Sequence, residues 1–147
     1  TNIDISLHMT MLFWVYSNLD TRIAPFINLI RLWAKLCNIT SNIKPNHNLS
    51  NFHLSILALN YLLRLEKPLI CPIEDLTTTD EDDVNGSKLI IKKVNLNNVK
   101  FPLQKNEISL KYLLIGFFSY YYVFDFNSYS VGLSKDIKSR IKNNRSY

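Results

Sequence analysis

Residues 19–35 read LDTRIAPFINLIRLWAK, and the reading of this stretch decides the fold. Asp20 and Thr21 are both good N-cap types standing before a long apolar run. Pro25 falls within the first turns, before the helical hydrogen-bond ladder is complete. Ile23, Phe26, Ile27, Ile30, Trp33, Ala34 and Cys37 recur at helical spacing, which predicts a helix from about Asp20 to Cys37 with a core-facing stripe. Arg31 and Lys35 stand one turn apart, so both cations project on one side. Such a pair is either an ordinary solvated face or two fixed charges for a polyphosphate.

Outward from this helix, the periodicity continues. Residues 1–7 (TNIDISL) alternate and read as a strand end or a loop, and His8 to Asn18 reads as a short helix with Met11, Leu12, Val15 and Leu19 on one face. Thr40 to Asn48 is a polar loop. Ser50 or Asn51 caps a third helix to about Leu65, with Phe52, Ile56, Leu59, Leu62 and Leu63 as its stripe. Residues 67–73 (KPLICPI) are extended, because the residue before each proline is pushed out of the helical region. Glu74 to Asp83 is an acidic run, either a solvated surface loop or a set of oxygen ligands for a hard cation, without EF-hand spacing. Residues 88–94 (KLIIKKV) read as a short strand.

The fourth helix is Asn106 to Tyr122, NEISLKYLLIGFFSYYY, capped by Asn106 or Ser109. Leu110, Leu113, Leu114, Phe117, Phe118 and Tyr121 form its stripe. Gly116 in its middle costs about 1 kcal/mol against alanine, which implies close packing there. Val123 to Leu133 alternates and reads as a strand or hairpin; the basic residues after it read as a frayed tail. The fold class is therefore mainly α, with a few short strands, and two units are expected: a helical domain over residues 1–134 and a tail over 135–147.

Bulk properties agree. The chain has 147 residues with 47% hydrophobic and 20% charged content, enough for one core and too apolar for disorder. The net charge of +5 favours a polyanionic partner such as RNA or a nucleotide. Cys37 and Cys71 lack metal-ligand spacing and read as reduced, packed thiols. The most apolar run, Leu54 to Leu63, is too short to span a membrane. The three histidines share no metal spacing, and no nucleophile elbow starts a serine-type triad.

LDTRIAPFINLIRLWAK resembles the LDxRvrPLvxxIKxWAK signature of template-independent RNA nucleotidyltransferases, the mitochondrial-type poly(A) polymerases and terminal uridylyltransferases. Residues 48–63, NLSNFHLSILALNYLL, are similar to the family's xLSSYxlxLMvixFLQ. Residues 68–73 (PLICPI) resemble PPvLPsL. Residues 106–133 resemble NtesLgeLLlgFFeYYaxFDwxkxxIsv, the signature of the poly(A) polymerase-associated domain. Together these matches cover about residues 7 to 134, interrupted by the variable stretch.

The resemblance implies a role for four residues. Arg31, where the family usually has lysine, and Lys35 would contact the nucleotide triphosphate. Asn51 would bond phosphate or sugar and Phe52 would stack on the base. On residues alone, Asn51 also reads as a cap and Phe52 as core. The resemblance further implies Mg²⁺ (or Mn²⁺) held by three carboxylates. The family's arrangement, a Gly-Ser motif followed by an Asp-x-Asp pair, does not occur in the chain, and the ungapped frame places the third acid just before Thr1. Asp4 takes that role only with a deletion of several residues, so no metal ligand is assigned within this chain. The same frame puts Met9 where some uridylyltransferases carry a sugar-binding asparagine. The expectation is a piece of an RNA 3′-end nucleotidyltransferase, inactive without its catalytic domain, whose substrates are ATP and an RNA 3′ end. A terminal uridylyltransferase using UTP and a non-catalytic RNA- or protein-binding module stand as alternatives. No membrane partner is expected, and the compartment is the mitochondrion or the cytoplasm, with the resemblance favouring the former.

Overall fold

The structure is a computed structural model, and it describes residues 2–40, 49–76 and 106–136, with the side chains of residues 2–9 excluded. Four helices follow one another: α1 (Asn2–Leu19), α2 (Ile23–Leu36), α3 (Asn51–Leu63) and α4 (Leu110–Val123). One 3₁₀ turn, Ile73–Asp75, lies between α3 and α4. The expected strand at residues 88–94, the acidic run beyond Leu76 and the tail beyond Asp136 lie outside the described residues.

The central helix α2 buries Ile23, Phe26, Ile27, Ile30 and Ala34, the 3.6-residue stripe expected of it. Pro25 is its third residue, where the missing N–H would have had no partner in the helix. The N-cap position belongs to Arg22 rather than to Asp20 or Thr21, and no side chain caps it. At the other end, Asn38 adopts a left-handed conformation with φ 55°. Its N–H donates to the Lys35 carbonyl at 3.1 Å and the Ile39 N–H to the Ala34 carbonyl at 2.8 Å, a Schellman closure with asparagine in the usual glycine position.

Around α2 the other helices supply the rest of the core. Its most extensive packing is on α3, with α1 and α4 against its flanks. From α3 come Leu54, Ala58, Leu59, Tyr61, Leu62 and Leu63. From α1 come Leu12, Val15 and Tyr16, whose hydroxyl donates to the Cys71 carbonyl at 3.0 Å. Phe26 of α2, Tyr61 of α3 and Phe117 of α4 meet edge-on or tilted with centroids 5.9–6.0 Å apart, so each helix of this layer contributes one ring. Gly116 sits where α4 crosses α3: a Cβ there would clash with Tyr61 Oη and press on the ring carbon behind it, so a bare backbone fits best.

Several expectations need correction. α1 starts at Asn2, not near His8; Ile3 and Leu7 are also four apart, so the short alternation fitted a helix as well as a strand. Met11 is exposed, and so is Cys37, which lies past the last turn of α2, whereas Cys71 is packed and burial pushes its thiol up to about 11. Val123–Leu133 forms no hairpin. Val123 ends α4, residues 126–128 turn, Tyr129 makes a single bridge, and no longer strand occurs among the described residues. Asp125 organises that turn by accepting the Asn127 and Ser128 N–H groups at 2.9 and 3.2 Å. No helix among the described residues is long and apolar enough to cross a membrane.

Candidate functional site

The two basic residues of α2 lie toward its C-terminal half, and Arg31 meets the first turns of α3. Arg31 is half-buried, and its Nε and Nη2 donate to Ser55 Oγ at 3.1 and 2.6 Å. Ser55 is fully buried and donates in turn to the Asn51 carbonyl at 2.7 Å. Asn51 and Ser55 are one turn apart on α3, so the hydroxyl fixes where Arg31 meets that helix. Lys35, one turn further along α2, is exposed in its last turn, where its charge also complements the helix dipole.

The start of α3 is tightly specified. Ser50 is its N-cap: Ser50 Oγ accepts the His53 N–H at 3.3 Å, and His53 Nδ1 accepts the Ser50 N–H at 3.3 Å. Histidine thus fills the reciprocal role that Glu or Gln takes in a capping box. With the cap supplied by Ser50, the side chain of Asn51 is exposed rather than committed to the helix end. Phe52 is not a core residue either. It remains 42% exposed, steadied edge-on by Phe13 of α1 with ring centroids 6.3 Å apart. An exposed aromatic face, two cations and an amide therefore border the α2–α3 junction, a set suited to a base and its polyphosphate.

The opposite end of α2 carries a second arginine that sequence reasoning did not single out. Arg22 reaches Asp20 through Nε at 2.9 Å and Nη2 at 2.6 Å, and Asp20 Oδ1 also accepts the Arg22 N–H at 2.8 Å. The same guanidinium donates to the carbonyls of Ile108 at 2.5 Å and Asn106 at 2.9 Å. Asn106 Nδ2 donates to the Lys67 carbonyl at 2.6 Å. This network ties the starts of α2 and α4 to the segment after α3. The side-chain hydrogen bonds from Arg22 hold the Asp20 carboxyl below the usual carboxylate range. A shallow open cavity of about 500 Å³ beside it is lined by Glu66, Lys67, Asn106, Glu107 and Ile108, away from Arg31. The LDxR part of the signature was the available clue to Arg22; Ser55 had none, since a serine in mid-helix usually only back-bonds.

Asp4 lies within α1, and its side chain, like that of Met9, falls outside the described residues. No group of three His, Cys, Asp or Glu residues is gathered among the described residues. The described residues therefore do not by themselves fit a two-metal centre.

No protein-family model matches the chain. The human relative "Poly(A) RNA polymerase, mitochondrial" is 30% identical over 137 residues, covering 90% of this chain. The crystal structure of mtPAP in complex with GTP superposes with a TM-score of 0.76 at 25% identity over 95% of the chain, which is 30% of that structure's length. This chain shares its sequence pattern and its fold with a helical part of mitochondrial poly(A) RNA polymerase. Cid1, described by its RNA terminal uridylyl transferase activity, aligns with a TM-score of 0.66 at 29% identity over 87% of this chain and 39% of its own. The chain spans 23% of the length of the human relative.

Proposed function

We propose that this chain forms the nucleotide-holding helical part of an RNA 3′-terminal nucleotidyltransferase, one that transfers AMP from ATP to an RNA 3′ end. The observation that carries this reading is the state of Arg31. Among the described residues its hydrogen-bond partner is a neutral hydroxyl, so its positive charge is available to an anion beside Asn51 and Phe52. Arg31 and Lys35 would neutralise triphosphate charge, Asn51 would bond sugar or phosphate, and Phe52 would stack on the base. Mg²⁺ or Mn²⁺, held by carboxylates outside the described residues, would supply the charge neutralisation that phosphoryl transfer requires. The likeness to Cid1 favours a second reading in which UTP replaces ATP at the same site. The naming of the human relative supports a mitochondrial location.

The test is a tailing assay on a labelled RNA with the full-length protein, comparing ATP with UTP. Addition of adenylate is expected, and none by the 147-residue chain alone. Preferential addition of uridylate selects the second reading, and tailing by the isolated chain overturns the division of labour proposed here.

A further inference from the structure

Ser55 has every bonding capacity engaged. Its proton goes to the Asn51 carbonyl, and its oxygen accepts from both Nε and Nη2 of Arg31. It is completely buried, so water does not compete for these bonds. An arginine head group has five N–H bonds in a rigid plane. Engaging one at Nε and one at Nη2 fixes that plane along its side edge. The end edge, with one N–H of Nη1 and the second of Nη2, is not used by Ser55, and this edge can pair with phosphate oxygens two at a time. The partner is also uncharged. A carboxylate in its place would have fixed the plane equally well and cancelled the charge, as Asp20 does for Arg22.

We infer that Ser55 is a positioning residue for nucleotide binding: it presets the Arg31 guanidinium toward the triphosphate while bringing no counter-charge of its own. The inference rests on the nucleotide-site reading above. Ser55 does not touch the nucleotide; it acts through Arg31 and, by its bond to the Asn51 carbonyl, ties that arginine to the start of α3.

The test uses the full-length protein and steady-state kinetics with ATP. Ser55→Ala should raise KM for ATP about tenfold, as expected for losing a hydrogen bond that orients a charged group, with kcat within about twofold of the parent. Ser55→Thr keeps the hydroxyl and its bond to the carbonyl one turn back, and should restore most of the KM. In an Arg31→Ala background, Ser55→Ala should add nothing further. An equal rise in KM with and without Arg31 overturns the inference, as does a Ser55→Ala protein with lowered stability and kcat but unchanged KM. If Arg31→Ala alone leaves KM unchanged, the nucleotide-site reading itself fails. If Arg31→Ala raises KM and Ser55→Ala does not, the positioning role alone fails.

Discussion

Arg22 and Arg31 stand about two and a half turns apart on one helix and meet opposite kinds of partner. Arg22 faces a carboxylate and two carbonyls, so its charge is neutralised and its planar head group becomes a tie between three segments. Among the described residues Arg31 bonds only the buried Ser55 hydroxyl, so its plane is fixed while its charge is not neutralised. The difference teaches how one helix can hold two cations in different states: the chemistry of the partner, not the identity of the cation, decides whether the charge is neutralised. A basic residue with an acidic partner is part of the scaffold, and one with a neutral partner is available to an anion.

The largest expected effect tests the scaffold end. Arg22→Ala should cost about 3 kcal/mol in urea unfolding, because it strands Asp20 and leaves the Asn106 and Ile108 carbonyls without their donor. Arg31→Ala should cost about 1 kcal/mol in the same assay. Equal losses would erase the contrast between the two ends.

Next in size is the crossing that holds α3 against α4. Gly116→Ala should destabilise by about 2 kcal/mol, since overpacking against Tyr61 outweighs the gain in helix propensity. Adding Tyr61→Phe removes the hydroxyl that clashes with the new methyl and leaves the ring carbon at 3.1 Å, so the double variant should recover part of the loss. No recovery would place the strain elsewhere.

A smaller effect sharpens the electrostatic side. The Asp20 carboxyl is held below its ordinary range by Arg22, so the native state binds its proton less readily than the unfolded chain does. Its stabilisation is therefore complete above the unfolded carboxylate pKa and is lost as pH falls through the lower, native one. Asp20→Asn should lose about 1–2 kcal/mol at neutral pH, with the difference from the parent shrinking on acidification. A difference independent of pH would assign the loss to shape rather than charge. The smallest effect lies at the C-terminal end of α2. Asn38→Gly should stabilise by about 0.5 kcal/mol in thermal unfolding, because glycine adopts the left-handed conformation without the side-chain cost; a loss would mean that the Asn38 side chain holds the closure.

Much of this was legible in the amino-acid pattern and some was not, for identifiable reasons. The buried stripe of α2 and the close approach at Gly116 follow from spacing and from the absence of a side chain, both local properties. The start of α3 narrowed to Ser50 or Asn51, and the bond between Ser50 and His53 resolves it. Val123–Leu133 misled because its alternation marks a strand only if a second strand pairs with it, and here Asp125 turns the chain instead. Phe52 looked like core because helical spacing says which face a residue shares, not whether a neighbouring element covers it. Arg22 and Ser55 escaped notice because their partners are distant in sequence: Asn106 and Ile108 for the one, Arg31 for the other.

The most direct test of the central claim is a calorimetric titration of ATP into the full-length protein and three variants, at a temperature where all are folded. Arg31→Ala and Lys35→Ala should each weaken binding about tenfold, the loss expected for removing one charged contact to the triphosphate, and Arg22→Ala should leave it within about twofold. Undiminished binding in the Arg31 and Lys35 variants, or an equal loss in all three, would contradict the account.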